Sequence, residues 1–267
     1  GITVIARTRE NRDGIDIDSY HNVRIANSYI DSGDDAIVLK ALAMRPCRNV
    51  TVSNCVLRSS ASALKLGTES NGGFENILFT GCAIYDTTGD AIALEMVDGG
   101  KFDRVTVSVI VIHNARCAIF IRLGNRARII PGLEKPGKGT MSNIIVDNIQ
   151  ATGIRNWGCS VTGLPDQLIE NVRLSNLRIR YEGGGTLEYA ARIISEKPES
   201  YPSSSIFGIL PAYGFFCRHI RNLELRGISV DCESREMRPA FWMEDIRGMT
   251  LSSLDAVIDR ATEACIV

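Results

Sequence analysis

No stretch of the 267 residues approaches the ~18 consecutive apolar residues that a membrane-spanning helix needs. Charge of one sign is not in excess either, since 30 Lys and Arg stand against 31 Asp and Glu, for a formal net charge of −1. A global basic field for nucleic acid or an anionic membrane is therefore missing. The eight cysteines, at 47, 55, 82, 117, 159, 217, 232 and 265, include no C-x-x-C pair and suggest no disulfide framework. Zinc-site spacing and a redox dithiol motif are thereby excluded. Histidine is scarce: His21, His113 and His219 lack neighbours at metal-ligand spacing. The opening GITVIARTRE has neither the continuous apolar region nor the small-residue cleavage site of a secretion signal. Nothing in these residue types calls for a metal or cofactor.

What is present is a repeat in an otherwise ordinary soluble composition, 45% hydrophobic and 23% charged. NVRIANSYI begins at Asn22, NVTVSNCVL at Asn49, NILFTGCAI at Asn76 and RVTVSVIVI at Arg104. NIIVDNIQA follows at Asn143, NVRLSNLRI at Asn171 and NLELRGISV at Asn222. The steps are 27, 27, 28, 39, 28 and 51 residues, so a unit of about 27 recurs with two insertions. Apolar residues alternate within it, which argues for strand. The sixth position holds Asn27, Asn54, Asn148 and Asn176, an arrangement that would let amides bond between units at a tight bend. The seventh mixes Cys55 and Cys82 with aliphatics, and such a column is interior packing.

A second column aligns Ile15, Ile37, Leu64, Ile92 and Ile119, with Ile17, Leu39, Leu66, Leu94 and Ile121 two residues on. Just before it stand Gly14, Ala36, Ala63, Ala91 and Ala118, always small, as at a crowded bend. Preserved columns of short strands, with weak helical periodicity throughout, predict an all-β, right-handed single-stranded parallel β-helix, a solenoid with coils of about 27 residues. A leucine-rich repeat would need a different spacing and a helix, and a propeller would need longer blades with hairpins. One β-helix domain over residues 1–267 is expected. Its entry directly into strand pattern points to further coils before Gly1.

If the aliphatic columns face inward, the residues between them face out. One outward column is Asp16, Val38, Lys65, Ala93 and Phe120. Another is Asp18, Lys40, Gly67, Glu95 and Arg122. Ahead of the small residues stand Asp13, Asp35, Ser62, Asp90 and Cys117. Stacked strands lie about 4.8 Å apart, so Asp13, Asp34 and Asp35 should crowd one spot. A single Asp at a strand end is commonly a turn residue. Three in register across two coils raise one another's proton affinity, which suits acid–base chemistry or, as a rival use, calcium.

These residues resemble glycoside hydrolase family 28, the polygalacturonases and rhamnogalacturonan hydrolases, whose coils carry N-T-D, G-D-D, G-H-G and R-I-K in order. Asn11-Arg12-Asp13 is similar to the first and Gly33-Asp34-Asp35 to the second. LGTESNGGFENI (66–77) resembles a run found in exo-acting bacterial members, as do CSVTGLPDQLIENVRLSNLRI and LPAYGFFCRHI. The resemblance implies a parallel β-helix and inverting hydrolysis of a glycosidic bond in a pectic polysaccharide or oligosaccharide. It implies Asp34 as general acid and Asp13 with Asp35 activating water, and it implies a secreted or periplasmic enzyme, exo-acting. An inverting pair ordinarily stands about 6.5–9.5 Å apart, leaving room for that water.

The sequence departs from the pattern at Ser62, in the place of the His, and at Ala93 and Glu95, in the places of the Arg and Lys that bind a uronate. Lys40, Lys65, Arg122 and Arg126 are the candidate replacements for those cations, or else plain surface charge. Glu69 is a candidate for a sugar hydroxyl, Asp90 for a subsite, and Tyr213, in LPAYG, either for a cover over the cleft or for the core. A rhamnogalacturonan-type hydrolase and a non-catalytic carbohydrate-binding β-helix are the alternatives. A structural fibre would not need three carboxylates in register. A lyase on this fold would normally need calcium and a basic residue.

Overall fold

The computed structural model describes residues 1–7, 11–132, 134–257 and the backbone of 265–266. The chain winds as a right-handed parallel β-helix in which each strand bonds to its counterpart one coil away. Three faces result. The first stacks Ile15–Asp18, Ile37–Lys40 and Leu64–Leu66, then 92–96, 119–123, Cys159–Thr162, 215–218 and 241–244. The second begins with His21–Ala26 and Cys47–Ser53, the third with Thr3–Ala6, Tyr29–Ser32 and Val56–Ser59. Phe74–Met96 and Lys101–Leu123 each pass through all three as one 23-residue strand.

The inward columns are the ones expected from the repeat. Ile15, Ile37, Leu64, Ile92 and Ile119 are successive register partners. From Ile37 on they have no exposed surface, and the same holds for Leu39, Leu66, Leu94 and Ile121. Burying one such side chain contributes about 1.5–3 kcal/mol, so the columns account for a large part of the driving force. Phe74 packs edge-on to Phe102 at 5.9 Å, and Phe215 stacks on Phe241 at 6.4 Å. Cys55 and Cys82 are buried thiols in the predicted interior column, while the Cys265 side chain lies outside the described residues. The small-residue column is crowded as expected: a Cβ at Gly14 would fall 2.6 Å from the Ala36 carbonyl oxygen.

The asparagine ladder forms, but at the first position of the repeat rather than the sixth. Asn49 donates to Asn22, Asn76 to Asn49, Asn171 to Asn143 and Asn222 to Asn171, each at 2.9 Å. Each sits at a left-handed bend with φ of 56–60°, a conformation that asparagine tolerates better than most residues. The sixth position bends the same way, but Gly81, Val109 and Gly227 interrupt it and have no amide to pass a bond on.

The two insertions leave the solenoid after Leu123 and after Tyr181. The second, 182–214, carries a short α-helix, Leu187–Ala190, and a 3-10 turn, Ser204–Ile206, and lies against the first face. Asn125 N–H donates to Pro198 O, and Ser204 N–H to Asp90. Val38, Ala93 and Phe120, whose alternation points them outward, have no exposed surface on this covered face.

Candidate active site

Backbone rungs bring the acidic turns together. Gly14 N–H donates to Asp35 O at 2.8 Å, and Ala36 N–H to Ser62 O at 2.8 Å. Asp13, Asp34 and Asp35 each offer one oxygen within 4.8 Å of the others. The hydroxyls of Ser32 and Ser59 both donate to the Asp34 carbonyl, at 2.7 and 2.6 Å, and fix its backbone. Burial raises the proton affinity of Asp34, and the charges of Asp35 and Asp13 raise it further, against a lowering by Lys65.

The other two acids are tied to cations. Lys65 donates to Asp35 Oδ2 at 2.9 Å while Ser62 N–H donates to Oδ1 at 2.9 Å. Lys40 donates to Asp13 at 2.9 Å and to Asp16 at 2.6 Å. Burial alone would lower the pKa of both lysines, but the carboxylates outweigh it and raise both, Glu95 and Asp35 for Lys65, Asp13 and Asp16 for Lys40.

Glu95 is buried 4.0 Å from Lys65 and accepts from Thr68 Oγ1 at 3.1 Å. Burial pushes its carboxyl up to about 8, although Lys65 pulls the other way. Asp90, also buried, accepts from Ser204 N–H at 3.1 Å, and burial raises its pKa. Its Oδ1 has no partner.

Two expected sugar-binding cations are committed elsewhere. Arg122 is 1% exposed and donates to Thr162, Gly163 O and Glu196 O, bolting the second insertion to the first face. Arg126 pairs with Asp98 through two bonds, and Glu69 is held by Arg128 at 2.6 Å. Tyr213 does not cover the cleft. It lies in the core, 0% exposed, edge-on to Tyr181, where the insertion rejoins the solenoid just ahead of Phe215.

The aromatic over the acids is Tyr201, in the second insertion. Its hydroxyl is 3.4 Å from Lys65 Nζ, and its ring also faces Arg126 at 5.7 Å. Sequence reasoning missed it because the insertion has no counterpart in the repeat. It also missed Arg116, although a column signal existed: the residues before Asp35, Ser62, Asp90 and Cys117 are Asp34, Ala61, Gly89 and Arg116. Asp34, Asp35, Ser62, Lys65, Asp90, Arg116 and Tyr201 line one cleft of about 220 Å³. Larger hollows, of about 590 and 400 Å³, lie on other faces along Asn143–Thr250 and around Asp166. Around Asp166 the acids Asp166 and Glu170 are neutralised by Lys138 and Arg221.

No protein-family model matches the chain. Over 87 residues it is 37% identical to a probable polygalacturonase from Vitis vinifera, covering 29% of this chain and 18% of that protein. Over 114 residues it is 31% identical to a polygalacturonase from Ralstonia nicotianae, covering 41% of this chain and 21% of the relative. The chain thus spans about a fifth of the length of these curated relatives. Both matches support a pectinase-like family, in line with the resemblance read from the motifs.

Proposed function

We propose that the chain is a glycoside hydrolase of the family 28 type that cleaves a pectic polysaccharide or oligosaccharide, working as one β-helix outside the cytoplasm, secreted or periplasmic. The convergence of Asp13, Asp34 and Asp35 carries this reading. Asp34, with its raised proton affinity and carbonyl fixed by two serines, is the general acid for the leaving oxygen. Asp35 has both oxygens engaged, by Ser62 N–H and Lys65. That makes it a poor nucleophile and an anchored charge beside the acid. With Asp13 it orients the attacking water and takes its proton, while Asp34 gives its own to the leaving oxygen as the glycosidic bond breaks. The lysines on Asp13 and Asp35 occupy places that calcium would take, which favours acid–base work over metal binding.

The oxygens converge within 4.8 Å, tighter than the ~6.5–9.5 Å common for inverting pairs. Inversion is proposed because no unengaged nucleophile stands at Asp35; NMR detection of a first product with retained configuration would overturn that part. Exo action is proposed because Tyr201, Pro202 and Ser203 close over the cleft.

The decisive experiment is Asp34→Asn on defined pectic oligosaccharides. Loss of an essential proton donor lowers the rate by at least about a hundredfold, with an unchanged melting temperature. Full activity of the variant on every substrate tested refutes the assignment. Ser62 in the His place favours one alternative, a carbohydrate-binding β-helix without catalysis. Binding with no release of reducing ends across a pH series would select it. Glu95 at the uronate-binding position favours the other, a rhamnogalacturonan-type hydrolase, which the same substrate panel would separate.

A further inference from the structure

The four basic residues expected to receive a sugar carboxylate are already occupied. Lys40 is taken by Asp13 and Asp16, Lys65 by Asp35, Arg126 by Asp98, and Arg122 by backbone carbonyls. Arg116 differs. Among the described residues no carboxylate forms an ion pair with it, although its charge is felt at Asp90, and its guanidinium lies 5.3 Å from the Trp157 ring centroid. An arginine stacked on an aromatic face is held in place while its N–H edge stays free for a planar anion.

Its position in the stack matters as much as its freedom. Arg116 stands in the turn column that begins with Asp34, and Ala61 and Gly89 lie between them. Both line the cleft but are too small to fill it. Gly89 has no room for more, since a Cβ there would fall 2.4 Å from the Ala61 carbonyl oxygen. Three coils separate Asp34 from Arg116, about 14 Å of backbone rise, and both line the same cleft. The cleft therefore has an acidic end at Asp34 and Asp35 and a cationic end at Arg116, with a floor of small residues.

Asp90 stands on that floor. It is 2% exposed, Ser204 N–H holds one of its oxygens, and neither Oδ1 nor the Ser204 hydroxyl, which lies within reach of this carboxylate, is hydrogen-bonded. A buried carboxyl oxygen without a partner is costly, and it lies in the wall of a cleft. A ligand hydroxyl would satisfy it.

We propose that Arg116, stacked on Trp157, binds the carboxylate of a sugar acid in this cleft, and that Asp90 Oδ1 bonds a hydroxyl of the same sugar. The site thus recognises a uronic acid from a position other than the one the family pattern would indicate. This rests on the reading of the cleft as a pectic-sugar site, but not on catalysis, and the two can fail separately. Arg116 sets which sugar is held at one end of the cleft, and the acids act at the other.

The test uses trigalacturonate and its fully methyl-esterified counterpart, titrated calorimetrically into the Asp34→Asn protein, which keeps the ligand intact. The acid should bind at least about tenfold more tightly than the ester, the worth of one charge-assisted pair. Arg116→Gln in the same background should abolish that preference, and Arg116→Lys should restore part of it. Asp90→Asn should weaken both ligands alike. Circular dichroism and melting curves identify a variant that has merely unfolded, and the acid-to-ester ratio of the Asp34→Asn protein then decides alone. Equal binding of acid and ester, no binding of either, or a preference that survives Arg116→Gln overturns the proposal. Release of reducing ends by the wild-type chain is scored separately: its absence sinks the hydrolase reading and leaves the binding result standing.

Discussion

Replacing Glu95 by Gln gives a direct measure of what the covered acidic face costs. Glu95 has a 1% exposed side chain, with Thr68 as a hydrogen-bond donor and Lys65 4.0 Å away. Burial raises its pKa from 4.5 to about 8. The folded state then holds the proton more tightly than the unfolded state. The associated stability is fully present below about pH 4.5 and is lost as pH rises through about 8. The linked stability is on the order of several kcal/mol. The amide of the Glu95→Gln variant keeps the shape and does not titrate. The difference between the two thermal midpoints, followed from pH 4.5 to pH 8.5, isolates this one group, because every other acid is common to both proteins. Wild type should lose roughly 10–20 °C relative to the variant across that range. If the two curves run parallel, Glu95 does not titrate in this window. If wild type gains on the variant as pH rises, Glu95 is an ionised partner of Lys65 and the burial argument is wrong.

Two further outcomes follow from features outside the acid triad. Asn49→Ala removes two rungs of the amide ladder at a left-handed bend and should cost roughly 1–3 kcal/mol in denaturant unfolding, with Asn49→Gly losing less because glycine accepts the bend. Tyr201→Ala should leave the melting temperature nearly unchanged, because the ring is 57% exposed, yet raise KM about two- to tenfold if the ring stacks on sugar; an unchanged KM would remove Tyr201 from the site.

The sequence carried the solenoid well because the repeat makes the same physical demand in every coil. The register of Ile15, Ile37, Leu64, Ile92 and Ile119 was legible from alternation alone, and so was the crowding at Gly14 and Ala36. The meeting of Asp13 with Asp34 and Asp35 follows from that register. The partners of the cations were not legible. Whether Lys65 reaches Asp35 or a ligand depends on side-chain paths that a column does not specify. Arg122 reads as an outward charge until the 182–214 insertion closes over it and its carbonyls take the guanidinium. Within the same insertion Tyr213 turns into the core and Tyr201 faces the cleft, and neither belongs to the repeat. Both asparagine columns bend alike, so the sequence does not say which one carries the ladder; at the sixth position Asn148 and Asn176 turn to Asp147 instead.

In a solenoid each coil touches only its neighbours, so folding and fraying can proceed along one dimension. The 182–214 insertion breaks that rule. Ser204 bonds Asp90 across 114 positions of sequence, and Tyr201 reaches Lys65 across 136. These contacts form only after the intervening coils have stacked, so the loop-closure entropy of the cover is met last. The cover of the cleft therefore depends on the stacking of every coil between its two contacts. Loosening of coils on the far side of the insertion would unlatch the acids while leaving their own coils intact, which ties the integrity of a local site to the cooperativity of the whole stack.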